Sequence, residues 1–222
     1  MVHTRHQNMV PRSDQMKQYM EKRLCELEAF HNYAQQHDIK YTIACGTAIG
    51  YLSIRSYFAW DDDIDIHYDK KECFDKICDL YNSGEPIGYL WKDKNWYFRK
   101  TIINDISFYI VRYVGKIKAL SCAFKLILDD GNDVKHQPDL GGLDIFGEVT
   151  VYKGSPTLTF KIPPQPITFC CVNTMLSMDK EHIDILIKSY GQPNTWGYHL
   201  NDDEKVEREK NIKFIDNYSI QP

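Results

Sequence analysis

Alternating apolar and polar segments divide the chain into a helical beginning, a strand-rich middle and a helical end. At the start, apolar residues recur at three- and four-residue steps, which predicts an amphipathic helix over residues 13–37. The polar residues before it, 1–12, are expected to be loose. Residues 39–45 are short, β-branched and apolar, and they predict a buried strand. A short helix is predicted over residues 47–54.

The middle of the chain carries short apolar segments separated by turn residues, a pattern typical of strands. Strands are predicted at residues 61–69 (with one polar face), 87–91, 96–103, 106–114 and 143–152. Residues 120–128 are apolar nearly throughout and fit either a strand or a helix. A helix is predicted over residues 70–81, and three prolines within residues 163–166 predict a loop.

The end of the chain is predicted to be helical. Residues 179–190 form one predicted helix, which Gly191 closes, and the alternating charges of residues 201–213 predict a second, solvated one. No repeat and no clear domain boundary is visible. The sequence therefore predicts one α+β (mixed α/β) domain over residues 1–222, with its core at 39–152 and C-terminal helices within 179–213.

Composition and charge fit an ordinary globular protein. Hydrophobic residues make up 43% of the 222 residues and charged residues 26%. A chain of this length can bury a core without a disulfide or a structural metal. The 27 Lys and Arg against 31 Asp and Glu give a net charge of -4, which argues against broad binding of nucleic acid. A small anionic substrate, held by a few basic groups and a metal, stays compatible with this charge.

Cysteine usage and hydropathy bear on the cellular compartment. The 7 cysteines include no Cys-x-x-Cys pair, so free thiols in a reducing compartment are expected. No apolar run reaches the roughly 20 residues of a membrane span, and the polar start does not resemble a secretory signal. We therefore expect a cytoplasmic chain without a transmembrane segment. The oligomeric state is left open.

Four carboxylates crowd into five positions, at Asp61, Asp62, Asp63 and Asp65. Like charges this close are costly unless positive charge offsets them. Residues two apart share one face of a strand, so Asp61, Asp63 and Asp65 would point the same way. Such a row fits a hard cation such as Mg²⁺. The alternatives are an acidic surface strand without a ligand and a calcium loop, although the glycine and glutamate spacing of an EF-hand is missing.

An anion-binding turn precedes this acidic stretch. Gly46 and Thr47 stand between the first predicted strand and the short helix. A helix N-terminus directs N–H groups at an anion, and a glycine there lets the backbone approach a phosphate closely. Phosphoryl transfer needs this combination of a metal and a phosphate cradle. Arg55 could add a planar, bidentate phosphate contact, the alternative being an ordinary surface arginine.

Residues 46–66 carry a specific combination of motifs. Gly46, Thr47 and Gly50 are followed by Trp-Asp-Asp-Asp-Ile-Asp-Ile at residues 60–66. This stretch resembles the LicD family, which includes LicD-type phosphocholine transferases and the fukutin-related proteins. The wider pattern looks like the nucleotidyltransferase superfamily of the DNA-polymerase-β type. The resemblance implies a nucleotidyltransferase-type mixed β-sheet flanked by helices.

Two weaker similarities extend the resemblance toward residue 200. They are Leu-Asp-Ile-Phe at residues 143–146, and a helix that runs into Tyr-Gly at 190–191 with Trp196 nearby. The chain departs from the family in three places: a usual basic cluster is reduced to Arg55, a usual proline is Ala59, and a frequent Pro-Asp after residues 143–146 is Gly147-Glu148.

The resemblance implies a role for each motif residue. Asp63 and Asp65 would bind a catalytic Mg²⁺ or Mn²⁺ ion, and Asp144 would be a third carboxylate that acts as metal ligand or general base. Gly46 and Thr47 would hold the phosphates of the donor. Further contacts would come from Arg55, as a phosphate clamp, and from Asp61, as a metal ligand or an acceptor-orienting group. The alternative for Asp144 is a strand-end acid that makes a cap or a turn.

Other conspicuous residues are interpreted as structural. His67 is expected to be a satisfied strand histidine, and Cys170-Cys171 to be packing residues. Arg99 and Lys100 are expected to be solvated.

Three functions are compatible with these observations. The first is metal-dependent transfer of a substituted phosphate, phosphocholine- or phospho-alditol-like, from a CDP-activated donor to a glycan or sugar hydroxyl. The resemblance alone supplies this donor. The second is transfer of a nucleoside monophosphate from an NTP to a small molecule, a protein or an RNA end. The third is an inactive homologue that serves as a binding subunit, which the presence of all three acids disfavours.

Overall fold

The computed structural model describes residues 14–58, 61, 63–89, 96–113, 122–131, 142–147, 160–197 and 200–218. Its α-helices are α1 (Asp14–Gln36), α2 (Cys45–Ile54), α3 (Lys70–Ser83), α4 (Lys180–Tyr190) and α5 (Asp202–Tyr218), with a 3₁₀ turn at Pro193–Thr195. Its strands are β1 (Tyr41–Ile43), β2 (Ile64–Tyr68), β3 (Glu85–Tyr89), β4 (Trp96–Ile103), β5 (Ile106–Tyr113), β6 (Cys122–Leu128), β7 (Leu143–Phe146), β8 (Gln165–Phe169) and β9 (Val172–Leu176).

Seven of the described strands form one mixed sheet in the order β1-β2-β7-β6-β5-β4-β3. β2 and β7 are parallel, and every other neighbouring pair in this sheet is antiparallel. Helix α1 packs on β6, α2 on β2, and α3 on β4 and β5. The predicted α+β class, a mixed sheet flanked by helices, is confirmed.

Strand β2 is buried on both faces, which differs from the predicted strand with one polar face. All five of its residues are buried, including Asp65 and His67. The cause is its position, because β1 and β7 pair with its two edges and α2 covers it. A charged residue on such a strand is removed from water, which raises the cost of its ionised form.

Most of the predicted elements are confirmed, with shifted ends. Helix α1 matches the prediction for residues 13–37, and β6 resolves the ambiguity of residues 120–128 in favour of a strand. Pairing with β5 and β7 decides this ambiguity, since an apolar run of this length has no period of its own. Strand β7 ends at Phe146. The predictions for residues 1–12, for Trp60 and Asp62, and for residues 148–152 lie outside the described residues.

The hairpin of β8 and β9 was not predicted. The prolines at residues 163–166 indicated a loop, but Pro166 lies within β8, in a two-stranded sheet where a proline can face outward. Cys170 and Cys171 form the turn between the strands, with φ angles of 45° and 71°. Cys171 is exposed, so its interpretation as a packing residue is wrong, while Cys170 packs against the core.

The core lies between the sheet and the helices. Leu27 and Phe30 of α1 are fully buried there, and the Phe30 ring meets the Tyr41 ring edge-on at 5.1 Å. Asp69 caps the start of α3 by accepting hydrogen bonds from the N–H groups of Lys71 and Glu72. Across the part of the chain that the structure covers, every helix is too short or too polar to cross a membrane.

Candidate metal and phosphate site

Three carboxylates meet at the junction of β2 and β7. One oxygen atom from each of Asp63, Asp65 and Asp144 lies within 4.8 Å of the other two. Asp65 and Asp144 are direct partners in the parallel ladder, and Asp63 precedes Asp65 by two positions. Neighbouring partners in a ladder project to the same face of a sheet. This pairing brings together acids that are far apart in the sequence.

Burial and nearby carboxylates both act against the ionised form of Asp65. The pKa of Asp65 is raised well above its usual range, first by burial and then by the nearby charges of Asp63, Asp144 and Asp61. The ammonium group of Lys125 lowers this pKa, but by less than the other groups raise it. The folded protein therefore favours an additional positive charge beside Asp65.

The side chains present fit a divalent ion. Mg²⁺ and Mn²⁺ prefer oxygen ligands, and Mg²⁺ is commonly bound by one or two carboxylates together with substrate phosphates. Asp63, Asp65 and Asp144 offer such a donor set, and Asp63 is the most exposed of the three. The carboxylates near Asp65 support the same assignment.

Thr47 fixes the acidic strand and does not face the open site. Its side chain is fully buried, and its Oγ1 atom accepts a hydrogen bond of 2.9 Å from the N–H group of Asp65. The structure therefore places the hydroxyl group against β2, where it positions the backbone that carries Asp65. Sequence reasoning had assigned this hydroxyl to the donor phosphates.

Two glycines of the motif are required by close contacts. A Cβ atom on Gly46 would lie 3.1 Å from the Oδ2 atom of Asp61, so Gly46 makes room for that carboxylate at the start of α2. A Cβ atom on Gly50 would lie 2.7 Å from the carbonyl oxygen of Ser56. Gly50 therefore lets the chain that leaves α2 turn back against the helix and continue toward Asp61.

An open cleft of about 210 Å³ lies in front of the carboxylates. It is lined by Gly46, Ile49, Phe58, Asp61, Asp63, Asp65, Tyr190, Thr195, Trp196 and Gly197. One wall thus comes from the acidic segment and α2, and the other from the segment after α4. From the sequence, Tyr190 and Trp196 were only a weak family similarity. That similarity was the one feature of the sequence that pointed to this second wall.

Contacts from α5 hold the second wall in place. The indole N–H of Trp196 donates to the carbonyl oxygen of Gly191 at 2.8 Å, and Arg208 donates to the carbonyl oxygen of Trp196 at 2.9 Å. Asn211 donates to the carbonyl oxygen of Ser53, at the end of α2. Helix α5 therefore ties the two walls of the cleft together.

Arg55 is not among the residues that line the cleft. It follows α2 in the left-handed conformation, with a φ of 56°, and its N–H group donates to the carbonyl oxygen of Tyr51. Its guanidinium lies over the Tyr51 ring, 4.8 Å from the centroid. These contacts place Arg55 at the C-terminal end of α2.

Lys125 is a residue at the site that sequence reasoning missed. It is the partner of Asp144 in the ladder of β6 and β7, and its ammonium forms an ion pair with the Oδ1 atom of Asp144. The signal was present in the sequence as the single charged residue within the apolar run of 120–128. A lysine in a buried strand generally has an anionic partner.

His67 is buried in β2, but neither of its ring nitrogens has a hydrogen-bond partner among the described residues, so the prediction of a satisfied strand histidine is not confirmed. It is fully buried in β2, and burial, with the nearby His182, lowers its pKa to about 3. The imidazole therefore stays neutral near pH 7. The pKa of His182 is also lowered by burial, and its Nδ1 atom hydrogen-bonds the carbonyl oxygen of Ser177 at 2.9 Å.

Comparison with known proteins provides a distant match. No protein-family model matches the chain. Over 131 residues, which are 59% of the chain, it is 24% identical to the lipopolysaccharide cholinephosphotransferase LicD of Haemophilus influenzae. The match covers 41% of that relative, so the chain spans less than half of its length. The chain is thus distantly similar to a LicD-type transferase.

Proposed function

We propose that the chain is a metal-dependent transferase of the LicD type with a nucleotidyltransferase-type fold. It would move a substituted phosphate, such as phosphocholine or a phospho-alditol, from a CDP-activated donor to a sugar or glycan hydroxyl. One observation carries the proposal: Asp63, Asp65 and Asp144 converge beside an open cleft, with one oxygen atom of each within 4.8 Å of the other two.

The distant relative supports the choice of reaction class. It is named for the transfer of phosphocholine to lipopolysaccharide. The donor and the acceptor proposed here are extensions of that name and of the sequence motif. The size of the cleft, about 210 Å³, fits the reacting part of a donor better than a long polymer.

The roles of the carboxylates follow from their positions. Asp63 and Asp65 would hold a Mg²⁺ or Mn²⁺ ion together with Asp144. A bound divalent ion supplies positive charge that stabilises the developing charge on the leaving phosphate group. Asp144 would bind the ion or accept the proton of the attacking hydroxyl group, and its closeness to Asp63 and Asp65 supports both roles.

The other groups of the site would position the reactants. Gly46 lies at the N-terminal turn of α2, whose N-cap residue Ala44 makes no side-chain hydrogen bond to that turn. Backbone N–H groups of such a turn favour a negatively charged group. Thr47 would act indirectly by fixing Asp65, and Asp61 would orient the acceptor or the ion from its place beside Gly46.

Product analysis tests the proposal. The chain is incubated with Mg²⁺ or Mn²⁺, a methyl glycoside panel and either CDP-alcohols or NTPs, and the released products are identified. We expect CMP from the CDP-alcohol together with a phosphorylated glycoside. Pyrophosphate from an NTP would favour nucleotidyl transfer, and no product with either donor would favour a binding subunit.

Two variants serve as controls for this assay. Asp65→Asn should abolish the metal-dependent product. Asp184→Asn changes an exposed aspartate on α4 and should leave the product unchanged. A reaction that both variants perform as well as the unmodified chain would contradict the assignment of the site.

A further inference from the structure

Asp144 lies between groups of opposite charge. On one side its ladder partner is Asp65, and on the other side its partner is Lys125. The ion pair of Lys125 and Asp144 is shielded from water, with side-chain exposures of 14% and 12%. A lysine charge at this position therefore acts on the carboxylate cluster with little screening.

A second buried ion pair, on helix α1, acts on the same group of charges as Lys125. Glu26 is fully buried, its Oε2 atom lies 3.2 Å from the Nε atom of Arg23, and its Oε1 atom accepts a 2.7 Å hydrogen bond from the N–H of Leu128. The charges of Lys125 and Asp144 both act on Glu26. Arg23, Glu26, Lys125 and Asp144 thus form a buried series of alternating charges that reaches the site from α1.

The position of Lys125 resembles that of a bound cation. Its ammonium contacts a carboxylate of the same set that offers ligands to a metal. A fixed positive charge beside a cation site has two opposite effects. It stabilises the carboxylates when no metal is present, and it repels a divalent ion that binds there.

We propose that Lys125 is a positioning residue that acts as the internal counter-ion of the metal-free site, holding Asp144 in place and weakening the binding of divalent ions. The inference rests on the metal site of the proposed function. It assigns Lys125 no contact with the reacting atoms. Lys125 instead sets the concentration of Mg²⁺ or Mn²⁺ at which the site fills.

The test is the binding of Mn²⁺ alone to the full chain, measured by the electron paramagnetic resonance signal of free Mn²⁺. We expect Lys125→Met to bind Mn²⁺ about tenfold more tightly than the unmodified chain, because a unit charge near a divalent ion is removed. The metal-free variant should also unfold at a lower temperature. A purely structural role would weaken binding and stability together, so the opposite signs identify the proposed role.

Matched variants complete the test. Lys125→Arg keeps the charge and should bind Mn²⁺ within about threefold of the unmodified chain. Lys100→Met removes the lysine of the Lys100–Asp129 pair on the same sheet and should not change Mn²⁺ binding. If Lys125→Met does not fold, Lys125→Gln provides an independent measurement. It also removes the ammonium charge and should bind Mn²⁺ more tightly than the unmodified chain.

The outcomes separate the inference from the proposed function. Unchanged or weaker Mn²⁺ binding by folded Lys125→Met, with normal binding by the unmodified chain, overturns the role of Lys125 alone. If Lys125→Gln is the variant measured, unchanged or weaker binding overturns it equally. An unmodified chain that does not bind Mn²⁺ overturns the metal site and this inference together.

Discussion

Two Lys–Asp pairs on the same sheet differ in their surroundings. Lys100 lies 2.6 Å from Asp129, and the two side chains are 45% and 9% exposed, whereas the side chains of Lys125 and Asp144 are 14% and 12% exposed, so the pairs differ mainly in the exposure of the lysine. Asp129 also accepts hydrogen bonds from Ser107 and from the N–H of Gly131. These contacts, first among them the hydrogen bond from Lys100, lower the pKa of Asp129.

The buried pair has the opposite balance. Asp144 shares its surroundings with Asp63 and Asp65. Burial first, and then the charges of neighbouring carboxylates, raise the pKa of Asp65, while that of Asp129 is lowered. Asp129 is thus stabilised in its ionised form by its neighbours, whereas the neighbours of Asp65 and its burial act against ionisation. This difference distinguishes a structural ion pair from a candidate binding site.

The largest expected effect comes from neutralising an acid of the cluster. Asp65→Asn should lower turnover by about a thousandfold, since a metal ion supplies several kcal/mol of transition-state stabilisation. The same variant should raise the thermal stability of the metal-free chain, because the folded state disfavours the ionised form of Asp65. CMP release and thermal unfolding measure the two effects.

The matching control is Asp129→Asn in the Lys100–Asp129 pair. It should reduce stability slightly and leave turnover unchanged. A metal-free Asp65→Asn chain that is less stable than the unmodified chain would contradict the raised pKa of Asp65 on which the comparison rests.

The next effect concerns the buried pair of Arg23 and Glu26. Glu26→Ala should lower the free energy of unfolding by about 3–5 kcal/mol, because it leaves the Arg23 charge buried without its partner. Glu72→Ala breaks the exposed Lys40–Glu72 pair and should cost less than about 1 kcal/mol. Urea denaturation compares the two. Equal costs would show that burial does not distinguish the ion pairs of this protein.

The pH dependence of stability also tests the difference between buried and exposed ion pairs. Burial, the largest cause, raises the pKa of Glu26 to about 7 from its usual value of 4.5, so the native state holds a proton between these values that the unfolded state has released. Stability from this group is present below pH 4.5 and is lost as the pH rises through 7. Its slope reaches at most about 1.4 kcal/mol per pH unit.

Urea denaturation at several pH values should show this loss as a difference between the unmodified chain and Glu26→Gln. The comparison removes contributions that the two proteins share, including those of the buried histidines. Parallel stability curves for the two proteins from pH 4 to 8 would disprove the raised pKa.

A smaller effect is expected at the hydroxyl group that fixes the acidic strand. Thr47→Val leaves the buried N–H of Asp65 without its acceptor, which should cost about 1–3 kcal/mol of stability and reduce turnover. Thr47→Ser keeps the hydroxyl group and should restore most of both. If Thr47→Val changes KM for the donor but not stability, Thr47 contacts the donor directly.

The smallest expected effect belongs to the Lys100–Asp129 pair. Lys100→Met should leave the free energy of unfolding almost unchanged, because a solvent-exposed ammonium is well screened, and it should leave turnover unchanged. Chemical denaturation and product release measure both quantities. A large loss of activity would show that β4, which carries Lys100, also contributes to function.

Elements whose contacts join neighbouring segments of the sequence were predicted best. The hairpin of β4 and β5 joins adjacent segments through Asn104 and Asp105, both with positive φ, and the sequence predicted both strands and the turn. Strand β2 was predicted, but its burial was not, because the strands and helix that cover it are not adjacent to it in the sequence. The hairpin of β8 and β9 was missed for two reasons. A proline is uncommon within a strand, and two consecutive cysteines are an uncommon turn sequence.

The site residues that lie within one sequence motif were predicted correctly to be close together. Asp61, Asp63, Asp65 and Gly46 lie together on the cleft, as their spacing in the sequence suggested. Asp144 required a resemblance, since only the register of β2 and β7 brings it to Asp65. The direction of the Thr47 hydroxyl group, the placement of Arg55, and the charges of Lys125 and Glu26 depend on side-chain packing, which a one-dimensional pattern does not encode.

The parallel pairing of β2 with β7 has a consequence for folding kinetics. The strands β3, β4, β5 and β6 connect to their neighbours through local antiparallel contacts, which form quickly. β2 and β7 must close the long loop that contains all of them, and in doing so they bring Asp65 against Asp144. We therefore expect this pairing to form late. A divalent ion would then mainly slow unfolding, because the ion binds an arrangement absent from the transition state.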